Sequence, residues 1–157
     1  MFKFLKSKKG FTLVELMIVV VIMAILVAVA VPIFSAVTKN ARTKTCIGNQ
    51  REIISSVGNW LMLQSTEKIS GTFTTVGGQD APKWGDTFSV NFGTTAATDA
   101  QIAEIKGLFK TVPVCPDAAS TITVTIAEGA AGGKATVTTA CAGGENSTEH
   151  VVPGTNA

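Results

Sequence analysis

Residues 8–38 read KKGFTLVELMIVVVIMAILVAVAVPIFSAVT, and this stretch decides how the chain is organised. Its part from Leu16 to Thr38 holds 23 residues without a formal charge. At 1.5 Å per residue, a helix of that length is roughly 35 Å long and crosses the hydrocarbon core of a bilayer. The stretch therefore predicts a membrane-spanning helix over residues 11–38.

Charge is placed unevenly around this helix. Residues 1–10 contain four lysines, whereas the whole chain of 157 residues has a net charge of only +2. Because basic flanks stay on the cytoplasmic side, the amino terminus is expected inside and residues 39–157 outside. With 46% hydrophobic and 15% charged residues, the composition excludes a charge-rich disordered chain and a strongly basic nucleic-acid-binding protein.

Three interpretations fit an apolar segment near the amino terminus. It can be a single-span anchor, or a secretory signal cut after the A-x-A pattern Ala28-Val29-Ala30. The third interpretation rests on Glu15, at the start of the apolar run. A carboxylate in a membrane segment costs about 2.5–3.5 kcal/mol on insertion scales, and neither an anchor nor a signal benefits from it. The third interpretation is therefore that the Glu15 charge has a specific partner, which the first two interpretations do not require.

The block KKGFTLVEL at residues 8–16 resembles the processing site of type IV prepilins and pseudopilins. The matching features are the short basic leader, Gly10, Phe11, Glu15 and, further along, Pro32. The resemblance implies that a membrane aspartyl peptidase, the prepilin peptidase, cuts between Gly10 and Phe11 and methylates the new amine of Phe11. Residues 1–10 would then be a removable leader peptide, while the apolar helix stays attached to the product.

Cleavage would place a positive amine at Phe11 close to the Glu15 carboxylate, and both charges would need compensation beside apolar surface. Within one helix the two groups are four residues apart and can meet. Between staggered neighbouring helices, Glu15 of one copy can instead meet the amine of another, which would set the register of a helical polymer. The residues leave both pairings open, and the resemblance favours the second.

The apolar run leads into an amphipathic segment over residues 39–63, in which Ile47, Ile54, Val57 and Leu61 recur at helical spacing. One helix from about residue 11 to 63 is therefore expected. Pro32 lies inside it, lacks the backbone N–H and predicts a kink or local melting. Two interpretations of Pro32 remain open, a flexible joint and an ordinary membrane-helix proline.

The exported part predicts an α+β, pilin-like fold, a long helix packed on a small antiparallel sheet. A capping box at Thr98 and Gln101 predicts the start of a second helix. The predicted parts after the long helix are a turn-rich loop over 64–97 with one or two short strands, a short helix over 99–107, a hairpin over 121–141 and a mobile tail over 142–157.

Three cysteines should face an oxidising exterior, which favours disulfides. Cys115 and Cys141 flank the predicted hairpin, and a bridge between them would be worth about 3.5 kcal/mol by loop entropy. This pairing leaves Cys46 outside the bridge, although a shifted hairpin register could pair Cys46 with Cys141. A zinc site using the cysteines and His150 is not expected, because their spacing matches no standard metal motif.

No catalytic residue and no cofactor are expected, since the sequence has one histidine and no Walker loop, G-x-S-x-G or haem-attachment pattern. The expected function is that of a structural, non-enzymatic subunit of a type IV pilus-like surface filament. Its partners would be copies of itself, the prepilin peptidase and methyltransferase, the membrane, and a pilus assembly platform with its ATPase. The alternatives are a pseudopilin of a type II secretion or DNA-uptake machine and a secreted soluble binding domain. Nucleic-acid binding is left undecided.

Overall fold

The computed structural model describes residues 10–64, 68–77, 82–116, 120–128 and 135–142. Most of the expected leader, the turn of the expected hairpin and nearly all of the expected tail lie outside these ranges. The chain divides into two compact units, Met1–Lys39 and Asn40–Ala157. The first unit contributes the apolar part of a helix, and the second holds the rest of that helix and a sheet.

The first helix, α1, spans Leu13–Leu63 and is 51 residues long. Its apolar part is long enough to cross a bilayer. In the second unit, α1 buries one stripe of side chains at spacings of three and four residues, which is the period of one helix face. The buried stripe consists of Cys46, Gln50, Ile53, Val57 and Trp60.

This stripe is offset from the one that apolar periodicity predicts. Ile47, Ile54 and Leu61 are only partly buried and flank it. The offset arises because Cys46 and Gln50 belong to the buried face, and a search for aliphatic residues at helical spacing passes over a thiol and an amide.

Five antiparallel strands form one sheet in the order β3-β2-β1-β4-β5. Their bounds are Ile69–Val76 for β1, Lys83–Phe92 for β2, Thr95–Ala96 for β3, Thr121–Ala127 for β4 and Thr136–Ala142 for β5. Strand β4 pairs with β5 from Thr121↔Ala142 to Ala127↔Thr136, as the predicted hairpin requires. The α+β fold of a long helix on a small antiparallel sheet is therefore confirmed.

The prediction of a loop over 64–97 with at most short strands is wrong. This segment supplies the eight-residue β1 and the ten-residue β2, and β1 sits at the centre of the sheet. The register of β1 and β2 shifts between Phe73 and Thr75. Such an irregularity interrupts the alternation of inward and outward side chains, and the Gly and Thr residues of β1 already weaken that signal.

Helix α2 spans Asp99–Gly107, the bounds that the sequence predicts. The Thr98 hydroxyl accepts a hydrogen bond from the backbone N–H of Gln101, and the Gln101 side chain accepts one from the backbone N–H of Thr98. This reciprocal capping box satisfies donors that would otherwise be unpaired at the helix start. Ile105 of α2 is fully buried, so the helix closes one side of the core.

Aromatic side chains and three long-range hydrogen bonds hold the second unit together. Phe73 is fully buried and stacks on Phe88 with ring centroids 5.0 Å apart. The hydrogen bonds tie α1 to the rest of the unit at Asn49 Nδ2 to the Val114 carbonyl (2.6 Å), the Thr139 hydroxyl to Gln50 Oε1 (2.9 Å) and Trp60 Nε1 to Glu104 Oε1 (2.9 Å).

Gly77, just after β1, packs directly on the backbone of Cys115. A Cβ at this position would overlap the Cys115 carbonyl oxygen. The backbone N–H of Gly77 also donates to the Ser120 carbonyl at 2.9 Å. Gly77 thus holds the end of β1 against the segment that leads into β4. This close contact is possible because glycine has no side chain.

We predict that Gly77→Ala destabilises the second unit by about 1–3 kcal/mol, because the new methyl group displaces a backbone rather than a mobile side chain. Gly48→Ala is the matched control. No atom lies within 4 Å of a Cβ there, and removing a helical glycine stabilises by up to about 1 kcal/mol. Denaturant unfolding of the full chain in detergent, followed by the fluorescence of Trp60 and Trp84, measures both changes. Equal stability of the two variants would contradict the close-packing argument.

Candidate processing and assembly site

The peptide bond between Gly10 and Phe11 lies just before α1, which begins at Leu13. A Cβ on Gly10 would meet no atom within 4 Å, and the Phe11 side chain is 89% exposed. Both residues of the expected cleavage site are therefore uncovered by the described part of the chain. A protease that needs extended backbone can reach this bond without unfolding α1.

Thr12 and Glu15 form a second reciprocal cap at the start of α1. The Glu15 carboxylate oxygen Oε2 accepts hydrogen bonds from the Thr12 backbone N–H (2.9 Å) and from the Thr12 hydroxyl (2.8 Å). The Glu15 backbone N–H donates to the Thr12 hydroxyl at 3.3 Å. The uncut chain therefore gives the Glu15 carboxylate a local partner, three residues before it.

Sequence reasoning missed Thr12, although its signal was present. The pattern Thr12-Leu13-Val14-Glu15 is the same Ser/Thr-x-x-Glu/Gln capping box that predicts α2. The charge of Glu15 and its spacing from Phe11 point to a different partner, so they do not predict this cap. The expected Phe11 amine does not exist before cleavage, so its pairing with Glu15 stays a prediction.

The apolar part of α1 is exposed on all sides. Every Val, Ile, Leu, Met and Phe side chain between Phe11 and Val37 is more than half exposed. A helix that is hydrophobic all round is stable only where lipid or other protein surrounds it. The described residues leave this surface uncovered, so the cover has to come from outside the described part of the chain.

Pro32 lies inside α1, and the residues before and after it are helical. The local melting that its sequence position suggested does not occur in this structure. A missing N–H and a ring that crowds the preceding turn remain the physical basis for a bend. The kink at Pro32 stays a prediction.

Comparison with protein families gives one match in this part of the chain. Residues 5–31 match the family model described as the prokaryotic N-terminal methylation motif. The chain carries the class III signal of type IV pilins and pseudopilins. The matched range contains the expected cleavage bond, Glu15 and most of the apolar helix of this pilin-like chain. No curated protein and no solved structure matches the chain significantly.

The three cysteines of the pilin-like chain come together in its second unit. The sulfur atoms of Cys46, Cys115 and Cys141 all lie within 4.8 Å of one another. All three cysteines are present as thiols in this structure. The predicted Cys115–Cys141 disulfide stays a prediction, and the structure adds that the Cys46 sulfur lies within 4.8 Å of both of these sulfurs.

Burial and neighbouring thiols set the protonation of Cys46. Its hydrogen bond with Cys141 and its burial raise the pKa of the Cys46 thiol well above the usual range. Contacts with Cys115 and Gln50 act in the opposite direction and are weaker. The Gln50 side chain donates to the Cys46 sulfur at 3.5 Å. Cys46 is therefore a neutral thiol near neutral pH, in a fully buried site.

We predict that Glu15→Val leaves membrane insertion intact or improves it, because a costly charge is removed, and that cleavage persists. Filament formation or subunit register should fail, as sedimentation and electron microscopy of sheared surface material would measure. Glu15→Gln is the matched control. Glutamine keeps the acceptor for Thr12 and loses the charge, so it should also fail. Normally ordered Glu15→Gln filaments would show that Glu15 acts only as a helix cap.

Proposed function

We propose that this chain is a structural subunit that polymerises through residues 11–38 into a type IV pilus-like filament. One observation carries the proposal, namely that most of an apolar helix exposed on all sides lies within the matched N-terminal methylation motif. An ordinary anchor would need the exposed helix alone. Cleavage at the motif would leave this helix in the product and would expose a new amine near its amino-terminal end. An anchor has no use for such an amine.

Before assembly, the proposed location is the cytoplasmic membrane. The leader lysines hold residues 1–10 inside, the apolar part of α1 spans the bilayer, and the second unit lies outside. In this orientation the bond between Gly10 and Phe11 sits at the cytoplasmic membrane surface. A prepilin peptidase embedded in the membrane would cut there and methylate Phe11, and the product would remain in the bilayer.

During assembly, the apolar helices would exchange lipid contacts for contacts with one another. Lipid tails are as apolar as leucine, so this exchange gains little from the hydrophobic effect. Close packing and pairing of the Glu15 carboxylate with the Phe11 amine of a neighbouring copy would make the contacts between helices more favourable than those with lipid. Thr12 would then give up its bonds to the carboxylate as the pair forms.

Assembly also needs energy that this chain does not provide, because its sequence holds no nucleotide-binding loop. An assembly platform and an ATPase are the proposed partners. The second unit would face solvent on the filament and determine its surface chemistry. Adhesion and motility are functions that such a surface would serve.

A pseudopilin of a secretion or DNA-uptake machine uses the same processing and the same helix. The methylation motif fits both assemblies equally. The length of the polymer separates them, because a pilus extends from the cell whereas a pseudopilus is a short piston in the envelope. Electron microscopy of material sheared from the cell surface, labelled with an antibody against the second unit, distinguishes the two.

We predict that Gly10→Ala blocks maturation, because processing needs an unhindered backbone at the cut. Uncleaved precursor should accumulate in the membrane, and surface filaments should be lost. Immunoblotting of membrane fractions measures the precursor, and amino-terminal sequencing identifies the mature end. Gly58→Ala, another glycine with open space around it, is the control and should mature normally.

The sequencing result also tests the rival function. The proposal requires Phe11 at the mature end of the wild-type protein. A mature end at Val31 would mean a secreted domain released from a signal peptide, and normal maturation of Gly10→Ala would overturn the prepilin assignment.

A further inference from the structure

The three sulfur atoms within 4.8 Å of one another come from three separate parts of the second unit. Cys46 belongs to α1, Cys115 lies in the segment between α2 and β4, and Cys141 lies on β5 opposite Ile122 of β4. A structural disulfide needs two cysteines. A third sulfur within the same 4.8 Å of both gives the site a choice of partners.

Access to these sulfurs is unequal. Cys46 and Cys115 are fully buried, whereas Cys141 is partly exposed. Cys141 also lies on β5, at the end of the strand order that the structure describes. A thiol or disulfide in solution therefore reaches Cys141 before it reaches the other two.

A hydrogen bond joins α1 to β5 close to these cysteines. The Thr139 hydroxyl donates to Gln50 Oε1 at 2.9 Å. Gln50 is one helical turn from Cys46, and Thr139 is two residues from Cys141, on the same face of its strand. Cys46 and Cys141 thus lie next to the hydrogen-bonded pair Gln50 and Thr139, with their sulfurs within 4.8 Å of one another.

We propose that Cys46, Cys115 and Cys141 form a thiol–disulfide exchange site in which Cys141 is the entry sulfur and bonds alternately to Cys115 and Cys46. A small-molecule disulfide such as oxidised glutathione is the oxidant. Its sulfur is attacked by the Cys141 thiolate, which yields a mixed disulfide and releases one glutathione thiol. Cys115 or Cys46, deprotonated as it reacts, then attacks the Cys141 sulfur and releases the second glutathione as a thiol.

Exchange between the two products needs no further oxidant. Cys46 loses its proton as it attacks the Cys141 sulfur of the Cys115–Cys141 bond, the Cys46–Cys141 bond forms, and Cys115 leaves as a thiolate that takes up this proton. The two products differ in what they join. A Cys115–Cys141 bond links the segment between α2 and β4 to β5, whereas a Cys46–Cys141 bond links α1 to β5.

The test uses the full-length chain, purified in detergent and fully reduced, with its fold checked by Trp fluorescence. A pulse of oxidised glutathione is followed by rapid alkylation and mass mapping of the peptides. The first adduct is expected on Cys141. At longer times the glutathione should be lost, and both the Cys115–Cys141 and Cys46–Cys141 bonds should appear.

Single serine variants assign the roles. C46S should form only Cys115–Cys141, and C115S should form only Cys46–Cys141. C141S retains two buried cysteines and should oxidise slower by on the order of tenfold or more, since a disulfide in solution does not readily reach buried thiols. Each variant that keeps the wild-type fluorescence is a valid test.

Three results would overturn the proposal. The first is folded C141S that oxidises as fast as the wild type, and the second is folded C115S that forms no Cys46–Cys141 bond. Binding of one Zn²⁺ per reduced chain, lost in each of the three variants, would assign the cluster to a metal instead.

Discussion

The large apolar side chains of residues 11–37 are all more than half exposed, and the described part of the chain offers nothing to cover them. Burial of one such side chain away from water is worth about 1.5–3 kcal/mol, so the whole segment cannot remain in water. One or two of these residues offset the cost of inserting Glu15. The need for a membrane and the proposed polymer both follow from this one uncovered surface.

Inside the bilayer the balance changes. Apolar contacts with lipid and with another helix are nearly equivalent, so they do not select one helix arrangement over another. In the proposed polymer, a single carboxylate and a single new amine would then dominate the choice of register, because unpaired charge is expensive in an apolar surrounding. Thr12 holds that carboxylate at 2.8 and 2.9 Å in the uncut chain, which keeps it satisfied until a stronger partner exists.

Features with strong local signals could be predicted from the sequence. The charge-free run marks the apolar helix, the Thr98 capping box marks α2, and the alternation of Ile122, Val124 and Ile126 marks β4. Strands β1 and β2 could not be predicted, because glycine and threonine replace apolar residues and the register shifts after Phe73. The convergence of Cys46 with two distant cysteines depends on tertiary packing, which no local pattern encodes.

Helix α1 also has a mechanical consequence. Its bonds to the rest of the second unit, at Asn49, Gln50 and Trp60, are distributed over three turns of one helix. A force that pulls along the helix axis loads these bonds together in shear, whereas a force across the axis would break them one at a time. In the proposed polymer, tension on the second unit would reach it through α1. The spacing of these contacts therefore favours resistance to stretching over resistance to peeling.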